Sequence, residues 1–212
     1  MKIVWLIGSI IIGVSFGYGQ GMYLANENGL SASIAYGRFN SDTKLELSGS
    51  YSLKGYIDLS YARSFIFDKE NSENVQNEIF TRIYLFKKSR LFFSSAVGFV
   101  YLEATTDLWK NFPFTFLRRG LAFQGGLHVV LKNQKSKKLI SSIFYQHSNP
   151  VVEYRTPQKS ILKTSRVRLV IFEGAAIYMV GQMSFILGPR INLDIDRGSI
   201  FYGFKFSGMV RH

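Results

Sequence analysis

From Gly29 to Met209 the chain is striped: apolar residues recur at every second position, with small or polar residues between them. The clearest case is Lys44 to Leu53. Leu45, Leu47, Gly49, Tyr51 and Leu53 share one face of an extended chain, and Glu46, Ser48, Ser50 and Ser52 share the other. A period of two is that of a β-strand, whose side chains alternate between opposite faces. The pattern predicts ten strands, at 29–39, 44–53, 56–67, 77–86, 91–105, 119–131, 138–147, 163–172, 175–187 and 198–209. In an exported chain, one apolar and one polar face predict an all-β fold: a closed antiparallel transmembrane β-barrel, with lipid outside and a polar lumen inside.

The connections carry a second pattern. Every other one is short: Lys54-Gly55, 87–90, 132–137 and Glu173-Gly174. Those between, 68–76, 106–118, 148–162 and 188–197, are longer, with 40–43 the exception. Outer-membrane barrels have short periplasmic turns, longer external loops and an even strand number, so the connection lengths support ten strands independently. Eight strands is the alternative, with one hairpin around 175–209 irregular or outside the membrane. No internal repeat or linker divides the chain, so 20–212 reads as one barrel domain.

Residues 1–19 read as a signal peptide. Met1-Lys2 gives a positive start, Ile3 to Phe16 is apolar, and Gly17-Tyr18-Gly19 offers small residues before a new N-terminus at Gln20. No later segment has the roughly 18 unbroken apolar residues of a transmembrane helix. There is no cysteine, which excludes lipidation at cysteine and disulfide staples. A closed barrel requires neither.

Composition sharpens the picture. Aromatic residues make up 16% of the chain, with 19 Phe and 12 Tyr, as suits strands flanked by interfacial aromatic girdles. The formal charge is +12, but the basic residues lie in turns and loops rather than on one face. In an exported chain this excludes nucleic acid as a partner. It points instead to outer-membrane lipid and lipopolysaccharide phosphates, with protein partners in an envelope complex as a further expectation.

With these features the chain resembles small outer-membrane β-barrel proteins of Gram-negative bacteria, and its signal ending Gly-Tyr-Gly-Gln is similar to those of Bacteroidota. The resemblance implies an integral barrel in the outer membrane. It covers the whole mature chain but rests on pattern, so it specifies fold more than function. One departure is the end: such barrels often finish on an aromatic residue, whereas this chain follows Tyr202, Phe204 and Phe206 with Met209-Val210-Arg211-His212.

Assigning the apolar stripe to lipid sends Glu46, Asp58, Glu78, Arg82, Gln124, His128, Arg166, Arg168, Gln182 and Lys205 inward. An Arg or Lys on the lipid face near mid-membrane would cost about 2–4 kcal/mol, which favours that assignment. Such a lumen is either a charged channel or a salt-bridged plug. Ten strands enclose a narrow space and these side chains are long, so the plug is the expected state. Arg63 falls on the lipid face, at an interface or a bulge. His128 has no second His, Cys or carboxylate at ligand spacing, and neither a metal nor another cofactor is expected.

Chemistry at the outer rim has one weak candidate set: His147, Ser148 and Glu153. His147-Ser148-Asn149 is similar to the His, one spacer, Ser, Asn signature of outer-membrane lipid A deacylases, which would imply acyl hydrolysis. Here His and Ser are adjacent, so a continuing strand would point them to opposite faces. Ten strands are also a feature of the omptin surface proteases, and Asp107 and His147 sit at adjacent loop bases, but neither loop holds an Asp pair. The aromatic, basic loop with Trp109, Lys110, Phe112, Phe114, Arg118 and Arg119, together with Tyr154 and Arg155, is either a partner-binding patch or an outer girdle on lipopolysaccharide. The expectation is an integral barrel with a structural or interaction role, which either stabilises the envelope or serves as a subunit of a larger envelope assembly. A narrow porin and a lipid A hydrolase are the alternatives.

Overall fold

The computed structural model describes residues 23–24, 26–39, 42–67, 73–86, 90–107, 113–156 and 158–212. Residues 1–19, expected to be a signal peptide, lie outside the described residues. Twelve strands follow one another: β1 (Gly29–Phe39), β2 (Asp42–Leu53), β3 (Ile57–Phe67), β4 (Glu73–Leu85), β5 (Leu91–Asp107), β6 (Pro113–Asn133), β7 (Lys137–Ser148), β8 (Val151–Arg155), β9 (Ser160–Thr164), β10 (Val167–Val180), β11 (Met183–Asp194) and β12 (Ser199–Arg211). Ten of them, β1 to β7 and β10 to β12, form a closed antiparallel ring. The pairing of β1 with β12 joins the two ends of the sheet, from Gly29 opposite Arg211 to Arg38 opposite Tyr202. The eight-strand alternative is thereby set aside.

The period of two dictates the two surfaces. In β2, Asp42, Lys44, Glu46, Ser50 and Ser52 are buried while Leu47, Tyr51 and Leu53 are exposed. The same alternation runs round the ring. Leu30, Ile34, Leu59, Ile79, Val97, Phe123, Tyr145, Leu187 and Phe204 all face outward. A soluble sandwich would bury such residues between sheets. Here they form an external apolar band, which is the surface a transmembrane barrel shows to lipid.

β10 and β11 are displaced along the chain from the strands expected at 163–172 and 175–187, whereas β12 lies close to its expected place with Lys205 inward. The turn expected at Glu173-Gly174 lies instead at Gly181-Gln182, and Glu173 is buried in the middle of β10. The expected loop 188–197 is largely strand, since β11 runs to Asp194. In sequence, the small residues Gly174-Ala175-Ala176 resemble a turn, yet they mark where backbones press together. A Cβ on Gly188 would sit 1.6 Å from the carbonyl oxygen of Gly174, so glycine alone fits.

The expected loop 148–162 also has structure. Pairing of β6 with β7 and with β8 follows one continuous register, Ala122 opposite Ser148 and Arg119 opposite Val151. β8 is therefore β7 resumed after Asn149-Pro150. Pro150 has no N–H to give the ladder and breaks the strand. It packs on Gly120, where a Cβ would come within 2.8 Å of the Pro150 Cα. The same holds opposite: β9 and β10 keep one register against β8 and β7, bridged by Ser165 N–H donating to the Pro150 carbonyl at 2.9 Å. β8 and β9 are thus a hairpin standing beyond the ring.

Candidate functional site

The interior is a filled lumen. At one end it is apolar: Tyr23 and Leu24, from the segment before β1, are buried with Tyr84, Phe92, Ile140, Ile177, Ile186 and Met209. That end carries the short turns and the start of β1, so the chain's own approach to its first strand stoppers the barrel. Toward the other end Leu102, Phe116, Val152, Val167, Leu169 and Ile171 are buried.

Between them lies a polar layer. Glu46 sits between Lys44 Nζ at 3.7 Å and Arg190 Nη1 at 3.9 Å, and all three side chains are buried. Arg190 Nε donates to Asn192 at 3.1 Å, and Gln76 donates to Glu78. Arg82 donates to Ser94 Oγ at 3.2 Å and to the Gln124 side-chain oxygen, with its guanidinium 5.0 Å over the Phe144 ring. The Tyr84 hydroxyl donates to Asp58 at 2.8 Å. Lys205 lies within electrostatic reach of Glu173 and Glu46. Buried bases Lys44, Arg82, Arg118, Arg190 and Lys205 face buried acids Asp42, Glu46, Asp58, Glu78, Glu173 and Asp194. The interior is near charge balance in a chain of formal charge +12, so the excess positive charge lies elsewhere. Beside Lys44, Glu46 and Arg190 the free space is about 10 Å³, room for about one water.

His128 is held on every side. Its Nδ1 meets Ser142 Oγ at 2.8 Å, its Nε2 meets Ser94 Oγ at 2.9 Å, and its ring stacks on Phe92 with centroids 4.6 Å apart. Among the described residues, no group of three or more His, Cys, Asp or Glu side chains could hold a metal ion.

Several expected positions need correction. Arg166 and Arg168 point out of the barrel, not into it, because the inward phase of β10 belongs to Val167, Leu169 and Ile171. Both guanidiniums reach Asp196 in the turn after β11, at 3.7 and 2.6 Å. The hydrogen bonds from Arg168 hold the Asp196 carboxyl below the usual carboxylate range. Gln182 lies in the β10–β11 turn, exposed. Arg118 is buried inside the barrel rather than displayed on a loop, because β6 begins at Pro113 and carries it inward. Arg119 and Arg155 are exposed, and Tyr154 is half-buried with its ring edge-on to Phe116. Trp109, Lys110 and Phe112 lie outside the described residues; of Phe114 only the backbone, in β6, is described. Residues of the lumen that the stripes did not single out include Lys44, Glu173, Arg190, Asn192 and Asp194. Lys44 stands at the expected start of its strand, and the other four fall beyond the expected strand ends.

The candidate catalytic residues do not converge. His147 is half-buried on the outer surface opposite Phe123 and Arg168, whereas Ser148 is buried and points inward. Glu153 lies in β8, committed to Arg155 Nε at 2.6 Å and Ser160 Oγ at 2.9 Å, and those bonds hold its carboxyl below the usual range. A serine nucleophile needs its base within hydrogen-bond reach, and a strand puts neighbours on opposite faces.

The arrangement defines a class: a ten-strand antiparallel β-barrel with an apolar outer band and a polar, packed interior. No protein-family model and no curated protein matches the chain. Among solved structures, the translocator domain of autotransporter NalP from Neisseria meningitidis is similar in fold, with a TM-score of 0.53 at 6% identity, covering 100% of this chain and 94% of that one. Also similar are the outer-membrane protease OmpT from Escherichia coli (TM-score 0.43, 9% identity, 88% and 92% coverage) and the Neisserial surface protein NspA (0.37, 8%, 87% and 95%). At these identities the likeness is one of fold.

Proposed function

We propose that this chain is an integral outer-membrane barrel that does not conduct and acts as a structural or interaction protein of the envelope, working as a subunit of a larger assembly. One observation carries the reading: the lumen is filled by a near charge-balanced network, stoppered by Tyr23 and Leu24. Acids and bases face one another in this dehydrated interior, and their mutual attraction offsets part of the desolvation penalty. Lipopolysaccharide is the expected lipid partner, since the outward Arg119 offers a cation for phosphates. The test is planar-bilayer recording from pure protein. Long silent records are expected. Steady ohmic conductance would overturn the reading in favour of a narrow porin.

A further inference from the structure

The geometry points to a docking site on the open edge of β9 for an acidic, extended segment of another protein, taken up as an added strand. This deepens the interaction role proposed above and rests on it. The edge arises from the mismatch between two hairpins. β10 is paired along its length with β11, but β11 ends at Asp194 and the chain turns back through 195–198. β9 extends past that turn and pairs with β8 alone. Among the described residues, no strand lies on its other side.

The hydrogen bonds show which backbone groups that edge presents. Thr156 N–H donates to the Lys159 carbonyl at 2.8 Å, and Ser165 N–H to that of Pro150 at 2.9 Å. Partners alternate along an antiparallel ladder, so residues 159, 161, 163 and 165 address β8, and Ser160, Leu162 and Thr164 face away. Further along the same line, the Arg168 carbonyl accepts from Ile195 N–H at 2.9 Å, which confirms the phase. The away side of β9 therefore offers three consecutive outward-facing residues, each with an N–H and a C=O. An extended peptide uses such groups in β-augmentation, with alternate side chains read on the two faces.

The side chains choose the partner. All five residues of β9 are exposed, Leu162 at 64% and Ile161 at 50%, one on each face of the hairpin. Lys163 lies within β9, and Lys159 and Arg166 flank it. β9 carries no carboxylate. The nearest acids, Glu153 and Asp196, are engaged by Arg155 and by Arg168 with Arg166. An acidic strand with apolar residues at alternate positions complements this edge. A second copy does not, because antiparallel self-pairing centred on Leu162 brings the two Lys163 side chains to diagonal positions.

The test uses the full barrel in nanodiscs and a fluorescent seven-residue peptide alternating Glu with Val. One control peptide carries Lys for Glu, and another has N-methyl groups on alternate backbone nitrogens. The protein variant is Leu162→Pro, which removes an N–H that faces away from β8 and is compatible with an edge strand. Saturable binding of the acidic peptide is expected, weakened at least about tenfold by Leu162→Pro and by N-methylation, with the Lys peptide failing to bind. No binding, or binding indifferent to Leu162→Pro and N-methylation, would overturn the site. So would a dimer of the protein that Leu162→Pro dissolves, since the edge would then belong to a second copy. Conductance is read on separate samples, so the non-conducting reading and the docking site can fail independently.

Discussion

Replacing Arg190 tests whether the lumen is held by its charges. Glu46 and Arg190 approach to 3.9 Å with about 2% of either side chain exposed. At an effective dielectric near 20, that separation corresponds to about 4 kcal/mol of attraction. Two terms reduce the loss in Arg190→Met. Glu46 keeps Lys44 at 3.7 Å, and the repulsion of Arg190 with Lys44 and Lys205 disappears. The expected destabilisation is about 2–3 kcal/mol, toward the lower side of what breaking a buried pair costs. The double change Glu46→Gln with Arg190→Met leaves no orphaned carboxylate, and Lys44 remains within reach of Glu78. It should lie within about 1 kcal/mol of the wild type. Urea unfolding in lipid vesicles, followed by the gel mobility of folded and unfolded forms, gives all the stabilities. The reasoning is refuted if Arg190→Met costs under about 0.5 kcal/mol, or if the double variant loses the sum of the single losses.

Three further outcomes are expected. Gly188→Val should abolish the heat-modifiable folded band, because its side chain would occupy the Gly174 carbonyl, while Gly125→Ala, with nothing within 4 Å of the added Cβ, should fold normally. Asp196 and Glu153 have carboxyls lowered by Arg168 and by Arg155 with Ser160. Their contribution is therefore complete above the ordinary carboxylate pKa of about 4 and lost as pH falls through the lower folded values, so an acid-active protease should nick β8–β9 faster at about pH 3 than at about pH 6. Equal rates would count against it. His147→Ala and Ser148→Ala should each leave the lipid A acylation pattern of cells unchanged, and a shift toward fuller acylation in either would show an active site that the geometry conceals.

The barrel was legible wherever the two faces differ in chemistry. In β2, leucine and tyrosine oppose serine, glutamate and lysine, and the assignment follows from period alone. In β10 both faces are apolar near the outer end, Val167, Leu169 and Ile171 within and Val170 and Phe172 without. Hydropathy then gives no phase, and the cost of a charge facing lipid alone favours placing the arginines inward. Their true place follows from a partner, Asp196, that only the folded turn brings near. Glycine posed the other difficulty. Gly174 and Gly188 serve a close backbone approach, which in sequence is indistinguishable from a bend. The catalytic candidates were separable from sequence because adjacency in a strand is a geometric statement.

The seam between β1 and β12 joins residues roughly 180 positions apart. Closing a free loop of that length would cost about 4–5 kcal/mol of chain entropy. The ring does not face that cost at once. Every other neighbouring pair in it is a hairpin between consecutive barrel strands, each closed locally. As those hairpins add their twist the sheet curls, and its two free edges come to face each other before they bond. A global closure is thereby reduced to the docking of two nearby edges. Until β12 arrives, however, β1 remains an open template for any other strand. The period between the first hairpin and the last is when this chain is most exposed to pairing with the wrong partner.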